Sequence, residues 1–325
     1  MPVFVDDITL AGNNPAAIDL FVQELSSHFK LRDLGPTTQL LGMEIHRDHP
    51  NHTLSLSQTN FITNLIQQHG LQDSKPVSTP LNPGSRLSTS MAPQNDAEAS
   101  EMSQYPYISV VGSLMYLALT TRPDIAYAAG VLARFNSNPG LAHWQAAKHV
   151  LRYLKGTAEH KLVYRPSDSP EPFITYSDAD HGGNPDNGRS TGGYVVKIGS
   201  GAVSWSSKLQ SLVALSTTEA EHISAVEAGK EIIWMRNLLG ELGFQFSGPS
   251  MLRMDNQSAI AVSKNPEHHG KMKHLSLRLF WLQDAVEEGL IGPTFVSTQN
   301  MAADIFTKAL DRVKLQKCVG MVGLE

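Results

Sequence analysis

Residues 173–225 restrict what this chain can fold into more than any other stretch. Phe173 to Tyr176 is apolar and β-prone, and it runs straight into Ser177-Asp178-Ala179-Asp180 before a Gly182-Gly183 turn. Carboxylates therefore sit where a strand ends and the backbone must bend. Gly192 to Val196 and Ala202 to Trp205 read as two further strands, joined by a turn at Gly199-Ser200-Gly201. From Ser216 to Leu242 the apolar residues fall at helical spacing for about seven turns, with Glu219 and Glu221 near the start. A strand ending in acids, a hairpin and a helix with an early glutamate make a frame that can hold acids over metal ions.

Two more carboxylates lie downstream in similar settings. Ser250 to Met254 is a short apolar run that ends at Asp255, followed by Asn256-Gln257-Ser258-Ala259-Ile260. After a strand-like piece from Pro293 to Val296 comes Asn300-Met301-Ala302-Ala303-Asp304-Ile305-Phe306-Thr307-Lys308. Asp178, Glu221, Asp255 and Asp304 thus stand at element ends in a βββαβαβα order. The motifs YSDAD, TEAE, DNQSAI and MAADIFTK, in that order, resemble the ribonuclease H domain of copia-type retrotransposons. The resemblance implies an α/β fold: a ribonuclease H-like mixed five-stranded sheet with flanking helices.

The start of the chain extends the resemblance. Val3-Phe4-Val5-Asp6-Asp7-Ile8 reads as a β-hairpin with acids at its tip, similar to the YVDD hairpin of retroelement reverse transcriptases. In that family the two aspartates work with a third, far upstream. Here only Met1 and Pro2 precede the hairpin, so Asp6 and Asp7 are expected to be a vestigial polymerase site and polymerase activity is not expected. Pro15 to Phe29 reads as a helix, residues 40–45 and 53–56 as paired strands, and Gln58 to His69 as another helix. They resemble the palm end and thumb of the same polymerases. The expected organisation is a truncated palm end and thumb over 1–78 and a flexible linker over 79–104. A helical connection over 105–165 and a ribonuclease H-like domain over 171–312 follow.

Composition limits the alternatives. The chain has 325 residues, 41% of them hydrophobic and 18% charged, which is ordinary for a globular protein. No apolar run approaches the roughly 20 residues of a membrane helix, and no signal sequence opens the chain. The one cysteine, Cys318, leaves no disulfide framework and no cysteine-based zinc site. An intracellular setting, cytoplasm or nucleus, is expected. His268, His269 and His274 fit no common zinc spacing.

A net charge of −5 argues against a nucleic-acid binder as a whole, but local clusters differ. Lys148, Arg152 and Lys155 fall at i, i+4 and i+7, on one helix face. Lys264, Lys271, Lys273 and Arg278 form a second cluster between two acid motifs. Lys148, Arg152, Lys155, Lys273, His274 and Arg278 are the candidate contacts for an RNA–DNA hybrid or another duplex, against the plainer reading of a solvated surface.

Hydrolysis of a phosphodiester needs an activated water and a neutralised leaving oxygen, which two magnesium ions can provide. Hard ions of this kind take oxygen ligands. The resemblance implies Asp178 bridging both ions (Mg2+, with Mn2+ as substitute), Glu221 and Asp255 on the first, and Asp304 on the second. Each acid also has a plainer explanation. Asp178 could be a strand-end turn residue, Asp255 could cap the next helix, and Asp304 could answer a helix dipole. Glu219 and Glu221 point about 200° apart on a helix. Ser216 and Glu219 have the capping-box pattern, so Glu221, at the head of the stripe Ala225, Ala228, Ile232, Met235 and Leu239, is the expected ligand. The family usually has an aromatic residue where this chain has His181 and His222. The expected activity is a ribonuclease H acting on RNA–DNA hybrids. The alternative is an inactive, decayed element that at most binds nucleic acid.

Overall fold

The computed structural model describes every residue except 2, 6, 168–170 and 265–275, and of 276–279 the backbone alone. Val3–Phe4 (β1) and Asp7–Ile8 (β2) form a small antiparallel hairpin in which Phe4 faces Asp7. The helix Pro15–His28 (α1) starts as its residues dictate: Asn14 Oδ1 accepts from Ala17 N at 3.3 Å, and Pro15 takes the first helical position. None of its residues is buried.

Gln39–Leu40 (β3), Met43–Asp48 (β4) and Thr53–Ser57 (β5) pair antiparallel, with Ile45 opposite Leu56. The turn between β4 and β5 is closed by Asp48, which accepts from Asn51 Nδ2 at 2.7 Å. Thr59–Gln68 (α2) follows and buries Ile62, Leu65 and Ile66.

Residues 79–104 correct an expectation. Their Ser, Pro and Asn content shows no period, yet Asp96–Ser103 (α3) is helical, and Leu81 and Met102 are buried. Asp186, in the loop after the YSDAD strand, accepts from Ser88 Oγ at 2.6 Å and from Thr89 N at 3.0 Å. The segment is packed down by a few anchors instead of linking as a free tether.

Tyr107–Thr120 (α4), Ala126–Ala133 (α5) and Leu141–Gly156 (α6) are helices within residues 105–165. Between α4 and α5, Arg122 and Asp124 make a fully buried ion pair at 2.7 Å, and Tyr153 donates its hydroxyl to the same carboxylate at 2.8 Å. The basic face of α6 is largely spent inside the protein. Arg152 donates to Lys75 O at 2.7 Å and Lys155 to Ser74 O at 2.6 Å, so both clamp the loop behind α2. Lys148 lies over the Trp144 ring, 5.8 Å from its centroid. Leu162–Tyr164 (β6) then joins β5, giving a sheet ordered β3-β4-β5-β6.

The largest sheet has five strands: Ile174–Ala179 (β7), Thr191–Ile198 (β8), Gly201–Leu209 (β9), Ser250–Met254 (β10) and Ile291–Phe295 (β11). Its order is β11-β10-β7-β8-β9, with β7, β8 and β9 antiparallel and β10 and β11 parallel to each other. This is the mixed five-stranded sheet with flanking helices expected from the sequence.

Alternate side chains feed two cores. Val196, Leu252 and Met254 pack under Thr217–Glu241 (α7), Gln257–Lys264 (α8) and Ser276–Glu287 (α9). Tyr176 and Val195 face the other way, into a core shared with Leu114 and Leu117 of α4 and Leu154 of α6. Arg312–Met321 (α10) closes that core, and the end of the chain pairs Leu324 with Leu162. Ala202 N donates to Val322 O at 2.9 Å, so the last residues stitch β6 to β9.

Candidate active site

Asp178 lies in β7, buried to 2% exposure, opposite Gly193 of β8. Gly193 is required there. A Cβ would stand 2.5 Å from that of Phe306, so the missing side chain is what lets the 302–307 turn close over the strand. Behind Asp178, Ser224 of α7 fastens helix to sheet: its Oγ lies 2.8 Å from the Asp178 carbonyl oxygen and 3.2 Å from that of Gly193. The neighbouring acid Asp180 serves its own turn, accepting from Thr191 N at 2.6 Å.

That fastening turns Glu221 toward Asp178. The stripe Ala225, Ala228, Ile232, Met235 and Leu239 below it is buried as its spacing requires. Asp255 follows the end of β10, and the cap of α8 is supplied by Asn256, whose Oδ1 accepts from Ala259 N at 3.0 Å. Asp255 is thereby spared for other work. One of its oxygens accepts from Thr298 Oγ1 at 2.8 Å. One oxygen each of Asp178, Glu221 and Asp255 lie within 4.8 Å of one another.

Three acids this close repel. Burial, then the charges of Asp178 and Asp255, push Glu221 up to about 9. Burial pushes Asp178 up to about 6 even with the Lys308 ammonium working against it. Glu221 is 6% exposed, and its Oε2 has no hydrogen-bond partner among the described residues. A buried, unpaired carboxylate oxygen facing two other acids is costly unless a cation answers it. Oxygen donors alone, from separate elements, suit a hard divalent ion such as Mg2+, so these residues fit one.

Asp304 stands apart. It is 1% exposed, in a short 3-10 turn over Ala302–Phe306, and its carboxylate faces two ammonium groups. Lys308 Nζ lies 2.6 Å from Oδ1 and Lys314 Nζ lies 2.7 Å from Oδ2. The same Lys308 Nζ is 3.3 Å from Asp178 Oδ2, which also accepts from the Thr307 hydroxyl. Burial works against the Lys308 charge, yet Asp178 and Asp304 together hold its ammonium above the ordinary lysine range. Asp304 therefore does not converge with the other three acids, and Lys308 stands between. Sequence reasoning gave no role to Lys308, Lys314 or Ser224, although Lys308 follows Asp304 at ion-pair spacing.

Glu219 keeps its expected cap, with Ser216 Oγ accepting from its N–H at 3.2 Å. Its carboxylate reaches one residue further back than a capping box requires, to Leu215 N at 2.8 Å. His222 is wholly buried with neither ring nitrogen hydrogen-bonded among the described residues, and burial lowers it to about 4. His181 is exposed. Asp7 is exposed in the β1–β2 hairpin. Asp6, His268, His269, Lys271, Lys273 and His274, and the side chain of Arg278, lie outside the described residues.

Comparison with known proteins places the chain. A family described as "Reverse transcriptase (RNA-dependent DNA polymerase)" matches residues 1–83. The "Retrovirus-related Pol polyprotein from transposon TNT 1-94" of Nicotiana tabacum is 42% identical over 99% of this chain. This chain belongs to the copia-type Pol polyprotein family. It spans 24% of the length of that tobacco polyprotein. A putative transposon Ty5-1 protein of Saccharomyces cerevisiae is 36% identical over 71% of this Pol chain and 72% of its own length. Among solved structures, LC11-RNase H1, isolated from compost, covers 42% of this chain and 93% of its own at 16% identity. The TM-score of that match is 0.33. Among the described residues no helix is long and apolar enough to cross a membrane.

Proposed function

We propose that this Pol chain hydrolyses the RNA strand of RNA–DNA hybrids, with a divalent cation held by Asp178, Glu221 and Asp255. The observation that carries the reading is the convergence of three acids around an unpartnered oxygen. Three carboxylates from β7, α7 and the end of β10 meet within 4.8 Å, and one of them has a buried oxygen with no hydrogen-bond partner among the described residues. A bound Mg2+ supplies Lewis-acid neutralisation of the phosphate and a more acidic water.

The residues do the rest. Ser224 fixes the strand against the helix, so Asp178 and Glu221 keep their separation. Thr298 orients Asp255 through one oxygen. Thr307 and Lys308 both engage Asp178 Oδ2 and so fix the orientation of its carboxylate. A hybrid suits such a site because a protein groove can test one strand for 2′-hydroxyls.

The test is cleavage of a labelled RNA–DNA hybrid by the purified chain, with Mg2+ and with chelator, beside RNA–RNA and DNA–DNA duplexes. Magnesium-dependent cutting of the RNA strand in the hybrid alone is expected. Binding of the hybrid without cutting would instead favour an inactive nucleic-acid-binding module.

A further inference from the structure

We infer that the Lys308 ammonium takes the place of a second divalent ion, so that the resting site holds one metal ion and one lysine. This rests on the reading of Asp178, Glu221 and Asp255 as ligands, and it concerns what stands on the far side of Asp178. Two carboxylates buried to 2% and 1% exposure, Asp178 and Asp304, flank one ammonium at 3.3 and 2.6 Å. A cation between two acids is the arrangement a bridging metal would adopt, and here a side chain of the same turn provides it.

The geometry makes the occupancy a property of the fold. Gly193 admits the 302–307 turn against β8, which brings Thr307 and Lys308 to Asp178. Lys314, from α10, takes the other Asp304 oxygen at 2.7 Å, so each oxygen of that carboxylate has an ammonium beside it. Asp304 thus acts through Lys308 as a positioning residue. A second metal ion would have to displace an ammonium that two buried acids retain. The Lys308 side chain is 41% exposed, so its outer end can also face a phosphate bound over the cluster.

The test counts Mn2+ bound to the full chain by calorimetry and by electron paramagnetic resonance, without nucleic acid. Wild type is expected to take one Mn2+, lost in Glu221→Gln. Lys308→Gln is expected to take two, the second disappearing when Asp304→Asn is added, whereas Lys308→Arg keeps one. Two ions in the wild type, or one in Lys308→Gln, would overturn the lysine's role and leave the three-acid site standing. No ion in the wild type, or an ion indifferent to Glu221→Gln, would overturn the three-acid site and this inference with it. If Lys308→Gln does not fold, the wild-type count alone decides between one ion, which supports the inference, and two, which ends it.

Discussion

The two sides of Asp178 are built from the same material and reach opposite electrostatic states. On one side Glu221 and Asp255 confront it without an ion pair to either among the described residues, and Glu221 is pushed up to about 9. On the other, Asp304 is buried as deeply but sits between Lys308 and Lys314, at 2.6 and 2.7 Å. Burial alone is therefore not what marks a candidate metal site here. The mark is burial without compensating charge, because a desolvated carboxylate must be protonated, paired or coordinated.

The largest effect expected from that contrast belongs to the residue common to both sides. Asp178→Asn is expected to weaken Mn2+ binding by more than about 100-fold, beyond the usual loss on removing an outer-shell partner of a metal. Calorimetric titration reads this directly, and a loss under about tenfold would mean that the three acids do not share an ion.

The next effect is on pH. Without a cation the folded chain keeps the Glu221 proton up to about 9, while the unfolded chain releases it near the ordinary 4.5. The folded state binds the extra proton, so stability falls as pH rises from about 4.5 to 9. Thermal unfolding in chelator should show this decline, Mg2+ should reverse it at the alkaline end, and Glu221→Gln should flatten it. A chelated wild type as stable at pH 9 as at pH 5 would break the contrast.

Smaller effects test the helix that carries Glu221. His222 is buried, has no hydrogen-bond partner among the described residues, and is lowered from 6.5 to about 4. It should cost stability as pH falls through that window, because the unfolded chain then binds the proton that the folded chain refuses. His222→Leu is expected to raise stability by ~1–3 kcal/mol, the scale of an unpaired buried polar group, with the gain growing toward pH 4 in denaturant titrations. Glu219→Gln, which touches a helix start instead of the cluster, should cost about 1 kcal/mol at most and leave Mn2+ binding in place.

The parts of this site that were legible in the sequence are those set by local pattern. The β7 run ending in acids, the helical period of α7 and the choice of Glu221 over Glu219 all follow from side-chain periodicity, which a strand or helix imposes whatever it packs on. Asp255 was ambiguous as a cap until Asn256 was seen to do that job. What was not legible depends on contacts far apart in sequence. Asp186 reaches Ser88 and Thr89, Arg152 reaches Lys75, and the chain end reaches β6. No local period encodes such pairings, so residues 79–104 read as a loose linker and α6 as a free basic face. Lys314 meets Asp304 for the same reason: α10 packs back over the turn.

The central claim is that Glu221 and its two neighbours hold the metal used for cleavage. It is tested most directly by titrating Mg2+ into hybrid-cleavage reactions of the wild type and of Glu221→Gln, with folding of both checked by circular dichroism. The expected result is magnesium-dependent cutting by the wild type and none by the folded variant at any concentration. A folded Glu221→Gln chain that cuts the hybrid with the wild-type magnesium dependence would contradict the account.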